Sequence, residues 1–447
     1  MAIHQTAMST KEPPPGLAGS LRFLGPGIVL SAAIVGSGEL IATTALGARA
    51  GFILLWAIIL SCVMKVAVQI QYGRHTILYG RPALEAWDAT RGPRLFGAHW
   101  SAYGALLFML TSWLGMAGVI GAAAQVLAHA FPGSGAGVWV PVIAVVLGLV
   151  VFRGRYGQVE RIATFLNLVF VSAILYCNIA AQTTRFAFGA GDVLDGLRFH
   201  LPPEGITLLI AVFGITGVGS GEIVMYTYWC LEKGYAAWAG PRDDTPEWAA
   251  RARGWIRVMQ LDALLSLVVY TLATCAFYLL GASVLRPQGR LEDGSGLVLQ
   301  LSKTFTEVLG EGATAIFMVC AFTVLFSTMF SNNAGLARLW TGLLRVFRFI
   351  DAGNEKQSRT VLAVLAWLLP AVWAAGYFAV RKPLGLVVVM GIANALFLLV
   401  VAWQAMVFRY GHSDPRLNPS RAFDVALWVS VLSIAGMAVK LAVSSLG

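Results

Sequence analysis

The stretch Val35-Gly36-Ser37-Gly38-Glu39-Leu40 returns almost unchanged later in the chain, as Val218-Gly219-Ser220-Gly221-Glu222-Ile223. Each copy lies in the middle of a long apolar segment that is predicted to be helical. Two glycines around a serine lower helix propensity and admit backbone angles that a helix excludes. The repeat therefore predicts two locally broken helices, each with a glutamate beside the break.

The segments around the repeat are typical of membrane-spanning helices. Of the 447 residues, 58% are hydrophobic and 12% are charged, whereas about a quarter of a soluble domain is charged. The apolar residues form about eleven runs, each long enough to cross a bilayer as a helix. An all-α integral membrane protein is predicted, with spans at 23–48, 52–72, 103–130, 138–152, 159–181, 205–231, 258–284, 312–337, 361–380, 384–408 and 423–444.

The basic residues between the spans predict the orientation. The net charge is +10, but Lys and Arg alternate with the spans and form no single stripe, so nucleic acid is not an expected partner. Loops on the side of the N-terminal tail carry about twice as many Lys and Arg as the opposite loops, and such loops stay in the cytoplasm. We expect a bacterial-type inner or plasma membrane protein with its N-terminus cytoplasmic and its C-terminus outside.

The positions of the two copies predict an internal symmetry. The copies lie in the first and the sixth span, so the helices that carry them run in opposite directions. We expect a mobile cytoplasmic tail (1–22), two inverted five-helix repeats (23–181 and 205–408) and an additional helix (423–444). Inverted repeats with broken helices are typical of secondary transporters, which work by alternating access. Chance repetition in a chain with 48 glycines does not account for matching positions in the two halves.

The two glutamates are the main candidates for binding a substrate. Glu39 and Glu222 are the only acidic residues deep within the predicted spans, and a buried carboxylate there costs a few kcal/mol without a partner. Facing each other across the repeat, they would bind a cation as metal ligands or share a proton. In the alternative, each braces its own break by accepting backbone N–H bonds. Lys65 is a further partner for them, unless its stem carries the ammonium towards the interface.

The breaks and the polar side chains near them define the expected site. Freed carbonyls can coordinate a cation, and half-helix N-termini attract anions. No cofactor and no enzymatic activity are expected, because the sequence has no phosphate-binding loop, catalytic motif or Cys/His array. Substrate contacts are predicted at Gly36, Ser37, Gly38, Glu39, Val218, Gly219, Ser220, Gly221 and Glu222, and further cavity contacts at Ser327, Thr328, Asn394 and Tyr226.

Four other stretches are distinctive: Leu24-Gly25-Pro26-Gly27, Gly51-Phe52-Ile53-Leu54-Leu55-Trp56, Gly118-Val119-Ile120-Gly121-Ala122-Ala123 and Leu261-Asp262-Ala263-Leu264-Leu265. They resemble the Nramp (natural resistance-associated macrophage protein) family of divalent-metal transporters, and a fainter similarity extends over nearly all the predicted spans. The resemblance implies a leucine-transporter-like fold with two inverted five-helix repeats and broken first and sixth helices. That fold agrees with the repeat.

The chain departs from the family where the family binds its metal. The resemblance places Gly36-Ser37-Gly38-Glu39 on the Asp-Pro-Gly-Asn of the first break. It places Val218-Gly219-Ser220 on the Met-Pro-His of the sixth helix, so the soft sulfur ligand is missing. The acidic residues of the family's proton pathway fall on Gly115 and Gly118, and this pathway is not expected. These departures are most similar to Nramp-related proteins that carry Mg²⁺.

Two transport functions fit these features. The first is transport of a hard divalent cation such as Mg²⁺ or Mn²⁺, with carboxylate and backbone oxygens as ligands, because hard cations prefer oxygen. The second is transport of an organic solute such as an amino acid or polyamine, whose amine the glutamates would receive. A third class is a non-transporting receptor or scaffold on the same fold. The expected partners are the lipid bilayer and the transported cation or solute, and an oligomer is not required.

Overall fold

The computed structural model describes residues 10–36, 38–152, 156–200, 210, 212–214, 216–289, 306–308, 310 and 313–446. Ser37, a predicted substrate contact, therefore lies outside the described residues. The described chain is mostly helical. One short antiparallel hairpin, β1 (Arg94–Leu95) and β2 (Ala98–His99), precedes the third predicted span.

The helices follow the predicted order of spans. The first half contains α1 (Gly16–Leu21), α2 (Pro26–Ile34), a π-helical turn (Gly38–Thr43), α3 (Thr44–Ala50), a 3₁₀ turn (Gly51–Leu54), α4 (Leu55–Tyr79), α5 (Ala83–Asp88), α6 (Trp100–Ala130), α7 (Ala136–Phe152), α8 (Tyr156–Ala181) and α9 (Ala190–Asp195). The second half contains α10 (Ser220–Lys233), α11 (Tyr235–Ala239), α12 (Pro246–Leu280) with a π-helical turn (Gly281–Leu285) and a 3₁₀ turn (Arg286–Gln288), α13 (Ala313–Val346), α14 (Glu355–Val380), α15 (Pro383–Gly411), a 3₁₀ turn (Pro415–Leu417) and α16 (Arg421–Leu446).

Many of these helices have the length and composition of membrane spans. Within the described part of the chain, eight helical stretches are long and apolar enough to cross a bilayer. α7 is apolar but shorter. The first predicted span, 23–48, is divided between α2, the π-helical turn and α3. A divided helix consists of pieces too short to be recognised as a span by their length. The total of eleven spans therefore stays a prediction.

The first helix is broken at the first copy of the repeat. α2 ends at Ile34, and Val35 leaves the helical conformation with ψ 85°. The chain resumes at Gly38 as a π-helical turn, whose residues are all buried. Because the break lies inside the protein, other side chains and not lipid must satisfy its backbone groups.

Asp262 holds the start of this broken helix. Its two carboxylate oxygens accept hydrogen bonds from Gly25 N at 2.9 Å and Gly27 N at 2.5 Å. A Cβ atom on Gly27 would lie 2.6 Å from the Asp262 carbonyl oxygen, so α2 and α12 can meet this closely only through glycine. Asp262 is 1% exposed. A third acid is therefore buried near the start of a predicted span, where a helix N-terminus solvates it.

The described part of the N-terminal tail is docked onto the helices. Lys11 N donates to Trp238 O at 3.0 Å, and Trp255 Nε1 donates to Lys11 O at 2.9 Å. Pro13 lies against Gly254, where a Cβ atom would collide with it. The expectation of a mobile tail is wrong for these residues, because their backbone and Pro13 pack against α11 and α12.

The contact of Asp262 with α2 yields a prediction about stability. Asp262→Ala leaves two buried N–H groups without acceptors, at about 1–3 kcal/mol each. We expect a clear fall in the melting temperature of the detergent-solubilised protein. Glu247→Ala, an exposed acid at the start of the same helix, is the control and should change it little. Equal melting temperatures for the two variants would contradict the role of Asp262.

Candidate substrate-binding site

The second copy of the repeat forms a second break. Residues 212–214 are helical, residues 216–219 are not, and α10 begins at Ser220. Gly217 has φ +62°, and a Cβ atom there would lie 2.8 Å from Cys62 Cα. Glycine is required at this position both by its conformation and by the close approach of α4.

Asn394 of α15 closes the start of α10. Its side-chain oxygen accepts hydrogen bonds from Ser220 N at 3.1 Å and Ser220 Oγ at 2.5 Å. A helix N-terminus exposes unpaired N–H groups that need such an acceptor. The hydroxyl of Ser220 and the carbonyl of Asn394 are thus engaged with each other.

Glu39 satisfies the first break from within. Its carboxylate accepts from Gly36 N at 3.0 Å and from Thr274 Oγ1 at 3.3 Å, and the side chain is fully buried. Thr328 of α13 lies directly against Gly36, where a Cβ atom would collide with the Thr328 hydroxyl. These contacts fit the alternative in which Glu39 braces the helix break by accepting hydrogen bonds, and not the one in which it binds a cation.

A small cavity lies between the two breaks. Its volume is about 30 Å³, room for about two waters. A larger surface cleft of about 640 Å³, lined by residues such as Phe152, Glu355 and Trp367, lies at α7 and α14 and touches neither break. The central cavity is lined by Ala33, Ile34, Gly38, Phe108, Ser112, Met116, Glu222, Met225, Thr328, Asn332, Leu336, Met390 and Asn394.

Two lining oxygens have no hydrogen-bond partner among the described residues. They are Glu222 Oε2, at the second break, and Thr328 Oγ1, beside the first break. A Cβ atom on Gly219 would collide with Glu222 Oε2, so the carboxylate lies directly over the opened backbone. Buried polar atoms in proteins are nearly always paired, so an unpaired oxygen in a cavity offers a contact to water or to a bound ion.

The structure brings together some of the predicted site residues and separates others. Gly38, Glu222, Thr328 and Asn394 share the cavity, whereas Glu39, Tyr226 and Ser327 do not line it. Tyr226 OH donates to Asp262 Oδ2 at 3.3 Å, and Ser327 Oγ donates to Ala32 O at 3.3 Å. None of the remaining predicted positions that the structure describes lines the cavity: Gly36, Val218 and Gly219 lie in the breaks, and Ser220 and Gly221 begin α10.

The methionines of the cavity are a feature that the sequence analysis missed. Met116, Met225 and Met390 line it, so the loss of the family's methionine at the sixth helix does not remove thioethers from the site. A signal exists in the spacing, because Met225 follows Glu222 by three residues and Met390 precedes Asn394 by four. Such pairs share one face of a helix.

A conventional metal centre is not formed by these residues. Among the described residues, no group of three or more His, Cys, Asp or Glu could hold a metal ion. The expected backbone ligands of the second break are also occupied, because Lys65 Nζ donates to Phe213 O and Thr216 O. A cation in the cavity would have one carboxylate, and its remaining ligands would be neutral.

Comparison with known families and proteins extends these observations. The sequence model of the family described as "Natural resistance-associated macrophage protein-like" matches residues 27–444. A relative named divalent metal cation transporter MntH, from Acidiphilium cryptum, is 28% identical over 332 residues, which cover 70% of this chain and 69% of the relative. A protein of the same name from Mycobacterium tuberculosis is 28% identical over 330 residues, covering 72% and 70%.

Solved structures resemble the fold over nearly the whole chain. A variant of the Eremococcus coleocola manganese transporter has a TM-score of 0.69 at 15% identity, covering 98% of this chain and 90% of that one. MhsT in complex with L-phenylalanine has a TM-score of 0.55 at 13% identity, covering 96% and 99%. The expected all-α membrane architecture, a leucine-transporter-like fold with broken first and sixth helices, is confirmed.

The contact between Gly36 and Thr328 yields a prediction. Gly36→Ala places a methyl group on the Thr328 hydroxyl, and overpacking of this kind costs about 1–3 kcal/mol. We expect a lower melting temperature in detergent. Gly436→Ala is a matched control, because no atom lies within 4 Å of a Cβ atom at that helical glycine. If both variants melted like the unmodified protein, the close packing of the first break against α13 would be refuted.

Proposed function

Because this chain belongs to the Nramp-like family of membrane transporters, we propose that it is a secondary transporter that carries a divalent metal cation by alternating access. The observation that carries the proposal is the pair of unpartnered oxygens, Glu222 Oε2 and Thr328 Oγ1, in a small cavity between two helix breaks. Each oxygen lies at a different break. Thr328 lies against Gly36 of the first break, and Gly38 of that break lines the same cavity, so a cation bound there would lie between the two breaks, where transporters of this kind bind their substrates.

The two glutamates have different roles in this proposal. Glu222 is the charged ligand, because it lines the cavity and one of its oxygens is unpaired. Glu39 braces the first break through Gly36 N and Thr274 Oγ1. Its metal-binding role, which the sequence suggested by symmetry, is not needed for this site.

The size and lining of the cavity favour Mn²⁺ over Mg²⁺. Mg²⁺ gives up its water reluctantly and usually keeps several waters when bound. A cavity of about 30 Å³ has no room for that shell. Three methionines also line it, and thioethers suit softer cations than Mg²⁺. Manganese transport by the structurally similar Eremococcus coleocola protein agrees with this choice.

The same dimensions argue against the organic solute. An amino acid or polyamine does not fit a cavity with room for about two waters. The N-terminus of α10, which could otherwise bind a carboxylate, is already closed by Asn394. Transport of an amino acid or polyamine remains the second candidate only for a conformation with a wider cavity.

We propose that transport in this chain does not use the family's usual proton pathway. Gly115 and Gly118 of α6 pack against α15, where a Cβ atom on Gly115 would collide with Met390 and one on Gly118 would lie 2.7 Å from Pro383 O. Acidic side chains at these positions would not fit without moving α15. Transport in this chain therefore uses a different coupling, or none.

We place the protein in a bacterial-type inner or plasma membrane, with the N-terminus inside and the C-terminus outside. Helical residues whose basic members are assigned to the cytoplasmic side are joined by ion pairs: Lys233–Glu160 at 2.7 Å, Arg338–Glu232 at 2.5 Å and Arg345–Glu85 at 2.9 Å. These pairs support one common end for the basic loops. The repeats 23–181 and 205–408 complete the site within one chain, so no oligomer is required.

Substitution of the two glutamates tests their roles. We expect Glu222→Gln to reduce Mn²⁺ uptake into proteoliposomes on the order of tenfold or more, the equivalent of at least about 1.4 kcal/mol of binding. Glu39→Gln should lower the melting temperature while uptake per folded molecule falls less. Glu247→Gln, exposed at the start of α12, is the control. Normal uptake by Glu222→Gln would exclude the proposed ligand.

A competition panel tests the choice of substrate. With Mn²⁺ uptake as the readout, we expect strong competition from unlabelled Mn²⁺ and weak competition from Mg²⁺. Amino acids and polyamines should neither compete nor raise the melting temperature. Thermal stabilisation by these organic solutes, with none by Mn²⁺ or Mg²⁺, would instead establish the organic-solute reading.

A further inference from the structure

Lys65 is a buried cation in the membrane core that does not line the cavity. It lies in the middle of α4, within a 42-residue apolar helical stretch, and is 0% exposed. Its Nζ donates to Phe213 O at 2.6 Å and Thr216 O at 2.5 Å, and lies 4.9 Å from the Phe213 ring centroid. The alternative that its stem carries the charge to the interface is therefore wrong, because the second break solvates the ammonium where it stands.

The oxygens at this break form a cage, which consists of the two carbonyls that accept from Lys65 Nζ and of the Ser61 and Thr216 hydroxyls, which are hydrogen-bonded to each other beside those carbonyls. Ser61, one turn earlier on α4, places its Oγ 2.8 Å from Thr216 Oγ1 and 3.3 Å from Phe213 O. Two carbonyls and two hydroxyls thus converge on one place. The carbonyls belong to Phe213, in the helical residues 212–214, and to Thr216, in the non-helical segment that follows them. Clusters of backbone carbonyls and hydroxyls at such helix ends are typical sites for monovalent cations in transporters.

We infer that Lys65 is a tethered ammonium that occupies a monovalent-cation site at the break of helix six. The oxygens of the cage attract a positive charge. The Lys65 side chain of α4 provides this charge, so no free ion has to be bound from solution. The site is separate from the proposed substrate cavity, because neither Lys65 nor its cage residues line that cavity. The inference goes beyond the proposed transport function and does not depend on which substrate is carried.

A tethered cation has consequences that a merely space-filling lysine lacks. When the side chain is truncated, the cage should accept a small free cation, with ammonium as the closest chemical match. When the side chain is present, the cage is full, and the protein should be indifferent to the monovalent cation in the buffer. Both consequences are measurable as stability, without any transport assay.

The test is chemical rescue of Lys65→Ala in detergent. We expect its melting temperature in choline chloride to lie several degrees below that of the unmodified protein, and to rise towards it in a saturable way as ammonium or Na⁺ replaces choline at constant ionic strength. The unmodified protein should melt at the same temperature in all these salts. A melting temperature of Lys65→Ala that does not respond to any of the cations would overturn the inference, as would failure to obtain folded variant in ammonium.

Two further variants sharpen the result. Lys65→Met fills the same space with an uncharged chain, so ammonium should not rescue it. Ser61→Ala combined with Lys65→Ala removes one oxygen from the emptied cage, so the ammonium concentration for half-maximal rescue should rise several-fold. Equal rescue of Lys65→Ala and Lys65→Met would show a general salt effect and contradict the cage. Mn²⁺ uptake by the rescued variant is a separate readout, and its failure alone would bear on the proposed function only.

Discussion

The structure depends on one constraint, that a helix broken inside a membrane must find partners for its freed backbone groups within the protein. Three of the partners are distant in sequence from the backbone that they satisfy, and Glu39 is the one that lies within the broken segment itself. Asp262 accepts the N–H groups at the start of the first helix, and Asn394 accepts those at the start of α10. Glu39 accepts Gly36 N, and Lys65 donates to the last carbonyls before the second break. Two acids, one amide and one ammonium thus replace what water would provide.

The proposed substrate site is defined by the oxygen atoms that have no hydrogen-bond partner among the described residues. Glu39, Asp262 and Lys65 are engaged with backbone groups, whereas Glu222 combines an unpaired oxygen with a place in the cavity wall. The Thr328 hydroxyl faces the same space from the first break. The two carboxylates therefore differ in their surroundings: Glu39 accepts a backbone N–H group, whereas Glu222 faces the cavity.

The sequence predicts the breaks well, because Gly-Ser-Gly occurs in mid-span at matching positions of both halves. The sequence cannot distinguish the roles of Glu39 and Glu222, because the motifs that contain them are almost identical. Their difference arises from distant partners: Thr274 for Glu39, and the methionine-lined cavity for Glu222. Lys65 and Asp262 were equally ambiguous, because a charged residue within a span gives no indication of which helix end will solvate it.

The most direct test of the account is to locate bound Mn²⁺ by anomalous X-ray scattering from crystals of the protein grown with that ion. The account predicts one peak inside the central cavity, at coordinating distance from the Glu222 carboxylate and the Thr328 hydroxyl, with Glu39 still bound to Gly36 N. A peak coordinated by Glu39 with Glu222 uninvolved, or a cavity without manganese at concentrations that support uptake, would contradict it.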